Sequence, residues 1–184
     1  MMYRQTMQPL SIIVAIEQSG GFGFNGQIPW INEPFAKADL KNFQTITTGK
    51  ACIMGRKTYD DMLAIVKERR GDKPITELLP NRKCYVVTRN ENLVVEGATR
   101  VRNIFEAVQD QGDGNTDEVF VIGGEKLFIE ALAWVDKIYM TVVKHDYECD
   151  RFFPIKYINT NFQLVSGKDH DDITFTKYHR KPGR

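Results

Sequence analysis

The feature that most constrains the fold is an alternation of short apolar runs with helical patterns. The apolar runs are rich in β-branched residues and end at turn residues, which is typical of strands. They are Ser11–Ile16, Ala51–Met54, Lys83–Thr88, Thr99–Val101, Glu118–Ile122, Lys137–Lys144, Phe162–Ser166 and Ile173–His179. Helical periodicity occupies Pro34–Thr47, Thr58–Arg70, Ile104–Gln111 and Glu125–Ala133. Such alternation predicts an α/β fold with a largely parallel sheet.

The apolar runs differ in whether both faces of the strand are expected to be covered by helices. The early ones are continuously apolar, as in strands that helices cover on both faces. Lys137–Lys144 and Ile173–His179 alternate in polarity and are separated by a long loop and a short strand. We therefore predict a mixed, mainly parallel central sheet of about eight strands, with helices on both faces and an antiparallel C-terminal edge.

Length and composition favour a single domain over residues 1–184. A chain of 184 residues that is 42% hydrophobic can bury a substantial core. We interpret residues 1–9 as an N-terminal extension. Residues 63–78 lengthen the second helix and add a charged turn, which we interpret as a surface insertion. A partner-binding role for this insertion is the alternative.

Charge and cysteine usage narrow the expected partners. The net charge of +1 gives no argument for nucleic acid or membrane binding. No apolar run approaches the roughly 18 residues of a membrane span, and Glu17 interrupts the first run, unlike a signal peptide. Cys52, Cys84 and Cys149 form no CxxC motif, so we expect reduced thiols, no metal site and a cytoplasmic protein.

One acid stands on an apolar helical face. Phe35, Asp39 and Phe43 follow one another at i, i+4 and i+8, so they share a face, which Leu40 and Ile46 widen. An acid there is costly unless a cation or hydrogen-bond donor meets it. We therefore expect its partner to be a ligand.

Two local details accompany this helix. Asn32 or Glu33 is expected to cap its start, with Pro34 in the first turn. The alternative for the acid is exposure to solvent, or a surface pair with Lys37 or Lys41.

Two strand-to-helix turns have the character of anion sites. Gly123 and Gly124 follow a strand and open a helix, so a ligand can approach backbone N–H groups there, although a tight turn needs glycine in any case. Glu125 suits the helix dipole but would repel a phosphate. At the other turn Thr58 is expected to cap the helix that follows Gly55.

Cations cluster at the predicted ends of these strands. They are Arg56, Lys57, Arg89 and Lys126. If the strand ends share one sheet edge, these side chains form a pocket suited to the 2′-phosphate of NADP rather than to the bare ribose of NAD. The alternative is a set of scattered surface cations.

The order and spacing of several short motifs resemble the dihydrofolate reductase family from about Leu10 to about Lys181. The matching pieces are Ile13-Val14-Ala15, Gly23, Ile28-Pro29-Trp30, Asp39-Leu40 with Phe43, Ile53-Met54-Gly55-Arg56-Lys57-Thr58, Leu79-Pro80 with Arg82, Val87-Thr88-Arg89, Val121-Ile122-Gly123-Gly124, Tyr139-Met140-Thr141, Asp150 and Phe153-Pro154. Each piece is weak by itself, whereas the ordered set is specific.

The resemblance implies a dihydrofolate reductase-like fold and a monomer that reduces dihydrofolate with NADPH. It implies Asp39, Trp30 and Thr141 as catalytic residues. It implies as substrate-binding residues Ile13, Val14, Ala15, Ile28, Asp39, Leu40, Phe43, Leu79, Arg82, Ile122 and Thr141. It implies as cofactor-binding residues Ala15, Ile16, Gly23, Asn25, Ile28, Gly55, Arg56, Lys57, Thr58, Thr88, Arg89, Ile122, Gly123, Gly124, Glu125, Lys126, Leu127 and Phe128.

The resemblance also implies particular roles. The Thr141 hydroxyl would bridge to Asp39, the alternative being that it only satisfies the backbone. Arg82 would bind the carboxylate of the substrate's glutamate tail, with Asn81 standing where the family often has glycine. Asp150 would accept backbone N–H bonds near Gly23 and Asn25 and so hold the glycine-rich segment, residues 19–26, closed. The alternatives are a sister reductase acting on another heterocycle and a non-catalytic binding component of a larger assembly.

Overall fold

The computed structural model describes residues 8–112 and 117–183, so most of the predicted N-terminal extension lies outside the described residues. In these ranges the strands are β1 (Leu10–Glu17), β2 (Gly21–Gly23), β3 (Ala51–Gly55), β4 (Lys83–Val87), β5 (Thr99–Val101), β6 (Val119–Gly123), β7 (Lys137–Val143), β8 (Arg151–Phe152), β9 (Phe162–His170) and β10 (Ile173–Arg180). The helices are α1 (Ala36–Thr47), α2 (Arg56–Arg70), α3 (Ile104–Asp110), α4 (Glu125–Ala131) and α5 (Ile155–Asn161).

The predicted sheet is confirmed. Within the described part of the chain it has eight strands in the order β5-β4-β3-β6-β1-β7-β10-β9. Pairing is parallel from β5 to β7, and β10 is antiparallel to both β7 and β9. The central strands are buried on both faces, with Ile12, Ile53 and Val121 fully inaccessible. Burying each such side chain contributes roughly 1.5–3 kcal/mol.

The pairing of β1 with β6 ends before the carboxyl edge of the sheet, and we call the space between their ends the cleft. The register between β1 and β7 continues to Glu17 opposite Val143. The register between β1 and β6 ends already at Ile12 opposite Val121. Beyond that pair β1 and β6 diverge, and ligands of open α/β sheets bind where strand ends part in this way.

A second, two-stranded sheet carries the glycine-rich segment. In it β2 pairs antiparallel with β8, with Gly21 opposite Phe152 and Gly23 opposite Arg151. We call this pair the ribbon. Neither strand has the length or apolar pattern that sequence reasoning detects, and α5 was likewise not predicted.

The predicted starts of the first two long helices were wrong. Neither Asn32 nor Glu33 caps α1, because Phe35 is the N-cap. The residues before it form turns, one of which is closed by the hydrogen bond from Ala36 N to Glu33 O. Thr58 does not cap α2, which begins earlier, at Arg56, with Gly55 as its N-cap. Gly55 has the extended backbone that is usual for an N-cap residue, so the helix starts directly at the strand end.

The segment 63–78 is only partly a surface feature. Helix α2 continues to Arg70, and the charged turn beyond it is exposed. Leu78, however, is 1% exposed and its N–H donates to Gly97 O. It belongs to a small core with Cys52, Tyr59 and Cys84. The far end of the segment is therefore built into the fold.

Candidate active site

Asp39 lies in the first turn of α1 and is half-buried, within hydrogen-bonding distance of Thr141 on β7. The Thr141 hydroxyl hydrogen-bonds its carboxylate, which confirms the predicted bridge. Thr141 is buried and lies opposite Ala15 of β1. Burial raises the pKa of Asp39 above its ordinary value, and the hydrogen bond from Thr141 partly offsets this. Among the described residues no lysine or arginine pairs with Asp39, so the surface-pair alternative was wrong.

Two predicted substrate-binding residues are exposed apolar side chains. Leu40 follows Asp39 and is 52% exposed, and Ile28 in the glycine-rich segment's neighbourhood is 46% exposed. Exposed apolar side chains of this kind are available to pack against a ligand ring. Trp30, in contrast, is buried and packs edge-on against Tyr147, with 5.6 Å between ring centroids. Trp30 belongs to a core cluster with Phe35 and Val143, so the structure shows it as a packed core residue.

Arg82 is a buried cation held by neutral groups. Its Nε donates to Pro80 O at 3.0 Å and its Nη1 to the Thr47 hydroxyl at 3.3 Å. Its guanidinium carbon lies 5.7 Å from the centroid of the Phe43 ring. In the described part of the chain no carboxylate forms an ion pair with it. A guanidinium fixed in this way can accept a ligand carboxylate.

Asn81, directly before Arg82, stands where the resembled family often has glycine, and its backbone conformation explains why asparagine is tolerated there. Asn81 has φ of 59°, in the left-handed region. Asparagine tolerates that region better than most residues.

Three glycines form a surface at the carboxyl ends of β3 and β6. A Cβ added to Gly123, whose φ is 152°, would lie 3.0 Å from Thr58 Oγ1, and one on Gly124 would lie 3.3 Å from it. A Cβ on Gly55 would lie 3.6 Å from Gly124 N. The peptide between Gly123 and Gly124 is cis.

Helix α2 starts at this surface, and among the described residues no side chain caps its first amides. Free amides, the helix dipole and close backbone access fit a pyrophosphate.

The predicted cations lie along the same sheet edge. Gly55 at the end of β3 is opposite Val87, two residues before Arg89. Arg56, Lys57, Arg89 and Lys126 are all exposed. The Arg56 guanidinium lies 3.6 Å from Asp60, but both side chains are 52% exposed. Such a surface pair is weak, so Arg56 is free to engage a ligand phosphate.

The predicted contact between Asp150 and the glycine-rich segment is confirmed. Asp150 Oδ2 accepts a hydrogen bond from Asn25 N at 2.9 Å. In return, Asp150 N donates to Gly23 O at 2.8 Å. The acid therefore ties the tip of the segment to the loop before β8.

Glu17 is a further acid that sequence reasoning did not assign. It is 1% exposed and accepts hydrogen bonds from Ser19 N at 3.1 Å, Gly21 N at 2.7 Å and the Ser19 hydroxyl at 2.5 Å. Burial raises the pKa of Glu17, but these hydrogen bonds outweigh burial and hold it below its ordinary value. The available signal was a charge ending an apolar strand just before a glycine-rich segment.

Other predicted site residues are buried or lie at the cleft. Ile13, Val14 and Ile16 are buried in β1, while Ala15 is half-buried. Leu127 and Phe128 are buried in the main core beneath α4. Leu79 and Ile122 pack against the core around Cys52 and Cys84, and Thr88 is half-buried after β4.

The described residues contain neither a metal-binding cluster nor a membrane-spanning helix. Within residues 8–112 and 117–183 no group of three or more His, Cys, Asp or Glu side chains could hold a metal ion. None of the helices described is long and apolar enough to cross a membrane.

The site combines a half-buried acid with uncapped helix amides and nearby cations. This combination indicates an α/β enzyme that binds a small heterocycle beside a phosphate-bearing cofactor. The dihydrofolate reductase family model matches residues 9–180. The chain therefore belongs to the dihydrofolate reductase family.

Individual relatives agree with this assignment. A dihydrofolate reductase of Bacillus subtilis is 33% identical over 179 residues, covering 94% of this chain and 95% of the relative. One of Staphylococcus aureus is 34% identical over 145 residues, covering 79% and 77%. The solved dihydrofolate reductase of Enterococcus faecalis, complexed with NADP(H) and RAB-propyl, superposes with a TM-score of 0.76 at 24% identity. That likeness covers 96% of this chain and 98% of the other and supports the fold.

Proposed function

We propose that Asp39 binds the pterin of dihydrofolate and that Arg82 binds the carboxylate of its glutamate tail. As a member of its family, the chain is an NADPH-dependent oxidoreductase. It reduces 7,8-dihydrofolate to 5,6,7,8-tetrahydrofolate by hydride transfer to C6 and protonation at N5. The observation that carries the residue assignment is the Asp39 carboxylate, which has a hydroxyl partner and, within the described residues, no cationic partner.

The chain's own residues orient the substrate. As a carboxylate, Asp39 accepts two parallel hydrogen bonds from N3–H and the 2-amino group of the pterin. Its negative charge favours protonation of the ring. N3 and N5 lie on different edges of the pterin, so a water molecule delivers the proton to N5. The glycine-rich segment and Ile28 exclude bulk water from the cleft.

The cofactor site has a matching chemistry. NADPH supplies the hydride when it is bound. The amides at the start of α2 and the glycine surface, Gly55, Gly123 and Gly124, would hold its pyrophosphate. Arg56, Lys57, Arg89 and Lys126 would hold its 2′-phosphate.

We further propose that the enzyme acts as a monomer in the cytoplasm. All three cysteines lie within the described residues and are free thiols. Burial raises the pKa of Cys52 to about 12 and that of Cys84 to about 11. Such inert, reduced thiols fit a reducing compartment.

The direct test mixes purified protein with NADPH and dihydrofolate and follows NADPH absorbance. Steady loss that requires dihydrofolate supports the proposal. Binding of both ligands without turnover indicates a non-catalytic binding component, and turnover only with another heterocycle indicates a sister reductase.

A further inference from the structure

Glu125 has a defined partner that the reaction described above does not use. It is the first residue of α4, directly after the Gly123–Gly124 turn. Its Oε2 accepts a hydrogen bond from the backbone N–H of Phe152 at 2.9 Å. Phe152 belongs to β8, which pairs with the glycine-rich segment through Gly21. The carboxylate thus links the proposed pyrophosphate turn to the ribbon.

An aromatic contact joins the same two parts. Phe128 of α4 packs edge-on against Phe22 of β2 and against Phe153, with 5.5 Å between centroids in each pair. Both contacts start from α4, so side chains of this helix meet a backbone N–H of the ribbon at Phe152 and a side chain of the ribbon at Phe22.

We propose that Glu125 is a positioning residue for hydride transfer, which ties the ribbon to α4 at the turn that holds the cofactor phosphates. This inference rests on the proposed cofactor site. A phosphate at the turn repels those orientations of Glu125 that face it. The orientation bound to the Phe152 amide is then favoured, so cofactor binding strengthens the tie to the ribbon. By reciprocity, a tied ribbon strengthens cofactor binding.

The arrangement also removes a conflict raised by the sequence. An acid beside a pyrophosphate is unfavourable if its charge faces the phosphate. The Phe152 N–H gives this charge a donor on the ribbon side instead. The acid is therefore compatible with a phosphate site while its carboxylate stays on the ribbon.

The test compares Glu125→Ala and Glu125→Gln, with Glu130→Ala as a matched control. Glu130 is an exposed acid on the same helix. Glu125→Ala removes both charge and acceptor, whereas glutamine keeps an acceptor oxygen. We expect Glu125→Ala to slow single-turnover hydride transfer by roughly threefold to tenfold, as for one lost hydrogen bond. The KM for dihydrofolate should stay nearly unchanged, glutamine should restore most of the rate, and Glu130→Ala should match wild type.

A second readout needs no turnover. Amide hydrogen exchange at Phe152 should slow when NADPH is added to the wild-type protein, and Glu125→Ala should abolish that difference. Unchanged hydride transfer and unchanged exchange in Glu125→Ala would overturn the proposal. Tighter NADPH binding in both Glu125 variants without any slowing would show that the residue only repels phosphate, which also overturns it.

The exchange experiment separates this proposal from the proposed function. If the wild-type protein fails to oxidise NADPH with dihydrofolate, the catalytic assignment fails. Loss of the NADPH-induced protection at Phe152 in Glu125→Ala would support the tie in that case also, because it is measured without dihydrofolate.

Discussion

At the scale of single residues, the ionised Asp39 side chain is expected to lower the free energy of unfolding while serving to bind the ligand. Burial raises its pKa above the ordinary 3.8, so the ionised form is disfavoured in the folded protein. The favourable contribution of the protonated group is fully present below the unfolded pKa and is lost as pH rises through the folded pKa. At neutral pH the ionised side chain is therefore a net cost to folding.

Asp39→Asn should separate these two effects. We expect turnover to fall by at least about 100-fold, because the paired charge-assisted hydrogen bonds to the pterin are lost. The melting temperature should rise at neutral pH, and the gain should vanish as pH falls below 3.8. Turnover and thermal unfolding across this pH range measure both. Wild-type turnover in the variant would refute the assignment of Asp39.

Arg82 offers the complementary test at the other part of the substrate. Arg82→Leu should weaken dihydrofolate binding by roughly tenfold or more, the value of one charge-assisted pair. A pterin without the glutamate tail should bind almost as before. Titration of both ligands measures the difference, with Arg100→Leu, an exposed arginine of β5, as control. An equal loss for both ligands would make Arg82 a structural residue.

At the scale of elements, the long strands and helices were predictable because their hydrophobic pattern matches their geometry. The antiparallel edge could also be foreseen from the alternation in Lys137–Lys144. The ribbon escaped prediction because Gly21–Gly23 and Arg151–Phe152 have no periodicity, and long-range pairing alone defines them.

The site was predictable in its residue types more than in its contacts. The partnership of Asp39 with Thr141 and that of Asp150 with the glycine-rich segment were foreseen through resemblance to a family. The hydrogen-bond partners of Glu17 and Glu125 were not foreseen, because they are backbone N–H groups, which leave no mark in the side-chain sequence.

The cations at the ends of β3 and β4 should determine cofactor choice. Replacing Arg56 and Arg89 together with alanine should raise the Michaelis constant for NADPH by roughly tenfold or more, since each arginine can make charge-assisted bonds to phosphate. The constant for NADH should change little, because NADH lacks the 2′-phosphate. Steady-state kinetics with both cofactors measure this. Equal losses with both would place these arginines away from the 2′-phosphate.

At the scale of the whole molecule, three acids from different parts of the chain bind the ribbon and the residues next to it. Each acid accepts hydrogen bonds from backbone N–H groups. Glu17 holds Ser19 and Gly21, Asp150 holds Asn25, and Glu125 holds Phe152. Glycines make such a segment costly to order. The acids offset that cost, so the order of the glycine-rich segment and the stability of the fold depend on the same carboxylates.

Glu17 is where this sharing should be measurable. Its folded pKa is depressed below the ordinary 4.5, so its contribution to stability is present above that pH and is lost as pH falls through the folded pKa. Glu17→Gln keeps the size of the side chain but weakens its hydrogen bonds to Ser19 and Gly21. We expect it to destabilise the protein at neutral pH by roughly 1–3 kcal/mol, as for a buried network that loses its charge.

The loss of stability in Glu17→Gln should shrink as pH falls below 4.5. The gain of stability expected for Asp39→Asn should also shrink at low pH, so the two variants differ from the wild type in opposite directions. Thermal unfolding of the two variants and the wild type from neutral to acidic pH measures both trends on one scale. A Glu17→Gln penalty that stays constant over this range would show that packing, and not the charge of Glu17, anchors the glycine-rich segment.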